Sequence, residues 1–288
     1  MKRNLLLFFL LGFGICSAQQ WKNFTNSVAV NCIAADHDTI WIGSDGGLAK
    51  YLLDGTKLAT YTHADGLADN QVTSIAIDSV GNKWFGTGHY TGTTINGGGI
   101  SKFDGNTWTT YNTFNSGLAS NTVNAVAIDS EGITWIATEA GLCRFDGNNW
   151  ITYNTSNSGL PSNNVENLYI DRQDNKWLIS QGPLTKFDGV NWTAVPYMVP
   201  GPIGSMAFDS QNNIWFGTYW NGPNTYATVA KYDGTNWKIY GYANTGMNFY
   251  HGSIAFDSSG QLWSDIQGGV CKFDGANWTS YTGGPIMC

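Results

Sequence analysis

One phrase recurs five times along this chain. Residues 101–111 read SKFDGNTWTTY, 143–153 CRFDGNNWITY, 185–192 TKFDGVNW, 230–240 AKYDGTNWKIY and 271–281 CKFDGANWTSY. Two tryptophan series keep the same step. The first is Trp41, Trp84, Trp135, Trp177, Trp215 and Trp263. The second is Trp108, Trp150, Trp192, Trp237 and Trp278, with Leu58 in the matching place of the first copy. The copies are about 45 residues long, a period that restricts a chain to a propeller or a solenoid, because one unit cannot cover its own faces.

Copy three shows the plan. VNAVAID (123–129) leads through Ser130–Glu131–Gly132 to ITWIAT (133–138), then GLCRF (141–145), Asp146–Gly147 and NWITY (149–153). Apolar residues alternate within each piece, the period of a strand. The Asp–Gly step favours a tight hairpin, since glycine accepts positive φ and the Asp side chain bonds local backbone. Glycine at 36 residues fits so many turns. Four strands per copy, radially repeated, predict an all-β propeller of six four-stranded blades. The copies fall at 30–61, 72–111, 123–153, 165–195, 203–240 and 251–281. A solenoid would need distinct capping repeats, and none is obvious. Seven blades is the alternative, because Trp21–Phe24 reads as a surplus fourth strand.

Residues 1–18 read as a secretory signal peptide: basic Met1–Lys2–Arg3, apolar Leu5–Phe13, small residues at 16–18. The expectation is a single domain over 19–288, secreted, periplasmic or on the cell surface. The alternative is a lipoprotein anchored through Cys16. No later stretch has the apolar length to span a bilayer. The formal charge is -7, with 14 Lys and Arg against 21 Asp and Glu. Nothing there would neutralise phosphates, so nucleic acid and anionic membrane surfaces are excluded as partners.

Several stretches resemble the two-component regulator propeller repeat, a strand ending in Asp followed by W-x-G-T and G-L/V-x-x-F/Y. They are VTSIAIDSVGNKWFGT (72–87), GISKF (99–103), IWIGSDGGLAKY (40–51) and FDSQNNIWFGTYW (208–220). The resemblance implies a propeller of the kind found in the extracytoplasmic sensor region of hybrid histidine kinases, or in freestanding secreted proteins. It also implies ligands such as glycan fragments. No kinase region or transmembrane segment is read in this chain, so signalling would need a separate envelope or signalling partner.

Strand direction sorts the turns between two faces. The a–b and c–d turns carry two Asp series: Asp36, Asp78, Asp129, Asp171, Asp209, Asp257, and Asp54, Asp104, Asp146, Asp188, Asp233, Asp274. At hairpins such residues cap backbone, and no run has the spacing of a calcium loop. A basic series, Lys50, Lys102, Arg144, Lys186, Lys231 and Lys272, is expected to lie over its neighbours. No metal and no cofactor are expected.

The b–c and d–a loops are where copies diverge. Long insertions stand at 88–98 (GHYTGTTINGG) and 219–228 (YWNGPNTYAT), with a d–a loop at 241–251 (GYANTGMNFYH). In a six-blade ring the two insertions would stand opposite each other. Aromatics beside amides and hydroxyls suit a small polar ligand with apolar faces, such as a sugar ring. The predicted ligand-binding residues are His89, Tyr90, Tyr219, Trp220, Tyr226 and His251. The function expected is recognition, with a protein-interaction module and a lyase-like propeller enzyme as alternatives. No catalytic residue is assigned. The histidines are His37, His63, His89 and His251, without H-x-H, H-E-x-x-H or G-x-S-x-G, so the expectation is not an enzyme. Cys143 and Cys271 are expected free and buried. A Cys32–Cys288 disulfide is expected as a closure staple.

Overall fold

The computed structural model describes residues 29–88, 98–196, 199, 201–219 and 227–282, apart from the His251 side chain. The fold is an all-β, six-bladed propeller: six antiparallel four-stranded sheets, each with its strands in sequence order. Blade one is β1 (Val30–Asp36), β2 (Thr39–Ser44), β3 (Gly47–Leu52) and β4 (Lys57–Tyr61). Blade two is β5 (Val72–Ile77), β6 (Lys83–Thr87), β7 (Ile100–Phe103) and β8 (Trp108–Tyr111). Blade three is β9 (Val123–Ile128), β10 (Thr134–Thr138), β11 (Gly141–Phe145) and β12 (Trp150–Tyr153). Blade four is β13 (Val165–Ile170), β14 (Lys176–Ser180), β15 (Leu184–Phe187) and β16 (Trp192–Val195). Blade five is β17 (Ile203–Phe208), β18 (Ile214–Thr218), β19 (Val229–Tyr232) and β20 (Trp237–Tyr240). After a single-turn helix, α1 (Tyr242–Thr245), blade six is β21 (Phe249–Phe256), β22 (Leu262–Ile266), β23 (Gly269–Phe273) and β24 (Trp278–Thr282). The described residues hold no seventh sheet. Residues 1–18, Trp21–Phe24 and Cys288 lie outside the described residues.

The chain divides into two compact units, blades one to four in one and blades five and six in the other. Within each unit, position in the sheet decides composition. The second strands are covered on both sides, so β10 (TWIAT) is buried throughout. The fourth strands are outermost, and β24 (WTSYT) is mostly exposed. The Asp–Gly hairpins form as expected. Gly147 adopts φ 99°, and Asp146 Oδ1 accepts the N–H groups of Asn148 and Asn149 at 3.0 and 2.8 Å.

Neighbouring blades interlock through aromatics. Trp84 of blade two joins Val126, Ile136 and Phe145 of blade three in one cluster. Trp135 does the same with Leu168, Leu178 and Phe187 of blade four. Trp215 packs with Leu262 and Phe273 of blade six. Each first strand of blades one to three also carries one residue out of register, and its side chain reaches forward. Asn31 Nδ2 donates to the Val72 carbonyl (3.1 Å), Thr73 Oγ1 to that of Val123 (2.6 Å) and Asn124 Nδ2 to that of Val165 (2.8 Å). Cys143 and Cys271 are buried free thiols, and Cys32 makes no disulfide among the described residues. Among those residues no helix is long and apolar enough to cross a membrane.

Candidate functional site

The face of the a–b and c–d turns is occupied by its own structure. Asp171 Oδ1 accepts the N–H groups of Gln173 (2.8 Å) and Asn175 (3.0 Å), and Oδ2 accepts the Trp177 indole N–H at 2.9 Å. The same indole bond joins Trp84 to Asp78 (3.4 Å), Trp135 to Asp129 (2.7 Å), Trp215 to Asp209 (3.1 Å) and Trp263 to Asp257 (2.8 Å). Sequence reading found the turn-capping role of these aspartates and missed the indole bond. Its signal is a constant six-residue Asp-to-Trp spacing in copies two to six.

The basic series lies over the same indoles. Lys50 Nζ is 5.1 Å from the Trp41 ring, Lys102 5.3 Å from Trp84, Lys231 5.3 Å from Trp215 and Lys272 5.7 Å from Trp263. Arg144 instead turns to Asp146 (3.5 Å). Lys176, from blade four, takes the place over Trp135 (4.6 Å) and pairs with Asp129 at 3.1 Å. Burial works against ionisation of Asp209, but bonds from Asn213, Trp215 and Lys231 prevail and hold its carboxyl at about 2. Blade one differs: Trp41 follows Asp36 by five residues, and its buried Nε1 has no partner. A face whose carboxylates and cations satisfy one another has little left for a ligand.

On the other face, the b–c turn is tied to its d–a loop by backbone in every blade but the fourth. Asp45 N–H reaches the Ala29 carbonyl (3.3 Å), Glu139 that of Thr122 (3.4 Å), Tyr219 that of Pro202 (3.2 Å) and Gln267 that of Asn248 (2.8 Å). The two loop sets therefore meet. Of the predicted residues, His89, Tyr90, Trp220 and Tyr226 lie outside the described residues. Tyr219 is half-buried at the end of β18. His251 falls within β21. Tyr250, next to it in sequence, is 39% exposed, and Tyr242, in α1, is 64% exposed. Among the described residues no group of three His, Cys, Asp or Glu is placed to hold a metal.

Blade six departs from the repeat at this end. Two residues past the strand-b tryptophan, blades one to five carry Gly43, Gly86, Ala137, Ile179 and Gly217; blade six carries Asp265, 5% exposed. One residue earlier, Ser264 stands where the others hold Ile42, Phe85, Ile136, Leu178 and Phe216. Opposite, β21 bulges: Phe249 pairs with Ile266 and Ile254 with Ser264, so residues 250–253 face Asp265 alone. Asp265 Oδ1 accepts the Ser253 N–H at 2.9 Å. Sequence reading missed Asp265. Aligning the six copies at tryptophan exposes it.

Comparison with known proteins fits this fold. No curated protein matches the chain by sequence. Among solved structures, the extracellular domain of BT3049 from B. thetaiotaomicron, assigned to a hybrid two-component system, is 22% identical with TM-score 0.55. It is matched over 89% of this chain and 40% of its own. The chain thus spans less than half of that domain. Virginiamycin B lyase from S. aureus, solved as a catalytically inactive histidine-to-alanine variant with quinupristin, is 12% identical, TM-score 0.66, over 92% of this chain and 87% of its own. A streptogramin B lyase is 15% identical, TM-score 0.62, over 89% and 81%. These lyases correct the expectation that the chain is not an enzyme. Enzymes share the fold, so missing motifs give no ground for excluding catalysis. The two-component regulator propeller model matches residues 117–140 and 198–220. These segments take in the first two strands of blades three and five, so the chain is similar to that repeat family there and shares its propeller fold.

Proposed function

We propose that this chain, acting outside the cytoplasm, takes a small organic ligand on the face of its b–c and d–a loops and cleaves it by lyase-type elimination. The observation that carries the reading is the rebuilt end of blade six: buried Asp265 opposite a four-residue bulge that includes exposed Tyr250, preceded by a loop that exposes Tyr242. In such a step a base takes a proton from carbon, that electron pair becomes a double bond, and the neighbouring group leaves with its bonding electrons. No oxidant is needed. The lyases matched over most of their length support this reaction class, and the inactive variant among them is a histidine variant. His89, Tyr90, Tyr219, Trp220, Tyr226 and His251 are the residues proposed to meet the ligand. Exposed Tyr242 and Tyr250 offer flat apolar area, and the bonded Asn248–Gln267 pair offers amides, a combination that suits a neutral polar molecule such as a sugar ring.

The test is a panel of oligosaccharides and cyclic depsipeptides, read for binding by thermal shift and for conversion by mass spectrometry. At least one compound should bind and be converted, with the loss abolished in His251→Ala. A bound compound recovered unchanged supports a second reading, a sensor whose ligand is reported to a partner protein. The repeat family and the BT3049 likeness favour that reading. A panel with no binder removes both.

A further inference from the structure

Resting on that reading only for the choice of face, we propose that the mouth of blades three and four holds a site for a protonated amine, flanked by Glu139 and Glu166. The first support is charge. The b–c and d–a loops, from residues 45–46 to 267–268, contain no Lys or Arg. In blades one to four the described ion pairs of Lys and Arg all end on aspartates of the opposite face: Lys83 on Asp36, Arg144 on Asp146 and Lys176 on Asp129. On the loop face Asp45 accepts Asn31 (2.8 Å) and Gln71 (3.0 Å), Asp65 the Thr62 N–H (2.8 Å) and Asp69 the Gln71 N–H (2.9 Å). The carboxylates of half-buried Glu139 and exposed Glu166 accept no hydrogen bond from the described residues.

The second support is a pair of buried hydroxyls with nothing to bond. Ser180 ends β14 and pairs with Val165, the residue before Glu166. At its place in blades one to three a hydroxyl closes the b–c turn: Ser44 Oγ donates to the Gly47 carbonyl (3.0 Å), Thr87 Oγ1 to that of Gly99 (2.9 Å) and Thr138 Oγ1 to that of Gly141 (2.8 Å). Blade four breaks this pattern. Its turn reads Gln181–Gly182–Pro183, and the β14–β15 ladder stops at Leu178–Thr185. Ser180 is left 8% exposed, with an Oγ that has no partner. Thr122, 3% exposed, has an unpartnered Oγ1 as well, and its carbonyl accepts the Glu139 N–H at 3.4 Å. A buried hydroxyl without a bond is costly, and a donor-rich ligand would relieve that cost.

The third support is the seam that joins the two blades. Asn124, two residues after Thr122, donates to the Val165 carbonyl (2.8 Å) and to Asn164 Oδ1 (3.2 Å), the two residues just before Glu166. Glu139 with Thr122, and Glu166 with Ser180, therefore stand on either side of one hydrogen-bonded junction. A primary ammonium brings three N–H donors and no acceptor, which matches two carboxylates and two hydroxyl oxygens. Exposed Glu166 meets the cation first, and the hydroxyls take its remaining N–H groups. A metal ion fits less well, since no group of three His, Cys, Asp or Glu among the described residues is placed to hold one. An anionic ligand would meet only like charge.

The site is tested by NMR on the isotope-labelled full chain with three probes of similar shape: benzylammonium, benzyl alcohol and benzoate. Benzylammonium should shift the backbone amides of Glu139, Glu166 and Gln181, and the other two should leave them in place. E166Q, at an exposed position, should weaken that binding about fivefold, and added salt should weaken it by screening. S180A should weaken it too without lowering the thermal midpoint, because the hydroxyl has no bond to lose. Benzyl alcohol shifting the same amides equally overturns the site. So does wild-type affinity for benzylammonium in E166Q or in S180A. If the amine binds here but the oligosaccharide and depsipeptide panel is neither bound nor converted, the site stands and the proposed function fails. If the panel is converted while E166Q binds the amine as the wild type does, the function stands and the site fails.

Discussion

Blade three and blade six follow one plan, yet their second strands read TWIAT and LWSDI. In β10, Ile136 and Ala137 are fully buried and complete an apolar seam. In β22, Ser264 and Asp265 are buried in the same places. The difference lies in the strand alongside. β9 runs past β10 with one residue out of register, and Ala137 pairs directly with Ala125 in the ladder. β21 loops away and turns the Ser253 N–H onto Asp265. Whether a buried position of this repeat tolerates charge is thus set by the donor its neighbour can spare.

The sharpest way to break this comparison is to exchange the two positions. Ala137→Asp should destabilise blade three by about 3 kcal/mol or more, as an unpaired buried carboxylate does, while Asp265→Gly should cost far less. Urea unfolding measures both, and equal effects would mean that the bulge is irrelevant. A second contrast uses the indole bonds. Trp135→Phe takes a donor from the Asp129 carboxylate and should cost about 2 kcal/mol. Trp41→Phe removes an N–H that has no partner and should cost less than about 1 kcal/mol. The smallest effect is with acid. The folded-state carboxyl of Asp209 is lowered to about 2 from 3.8, so its contribution is complete above pH 3.8 and is lost as pH falls through about 2. Stability should decline across that window, less steeply in Asp209→Asn, as thermal melts between pH 5 and 2 would show.

Much of the fold is legible because it is written several times. Alternation places the strands, Asp–Gly places the turns, and the period places one blade beside the next. The turn role of Asp171 or Asp209 follows from local chemistry, since a carboxylate at a hairpin caps the N–H groups just after it. The proposed site is less legible because it is drawn where the repeat is broken. His251 stands out by residue type, but Asp265 looks like an ordinary polar residue until five glycine, alanine and isoleucine counterparts are set beside it. The bulge at 250–253 leaves no local mark, because its register is held by Ser205, 47 residues away in sequence, through the Gly252 carbonyl. Reading catalysis out of the chain from missing motifs failed for a related reason: motifs report local chain geometry, whereas propeller sites assemble residues from separate copies.

The forward-reaching bonds of Asn31, Thr73 and Asn124 bear on how such a chain could have grown. Each copy carries the donor and borrows only a main-chain oxygen, which any successor supplies whatever its side chains. A duplicated copy would arrive with its own fastener already fitted. Lengthening the array would then demand no matching change in the copy that follows, leaving later mutation free to specialise one member, as at blade six.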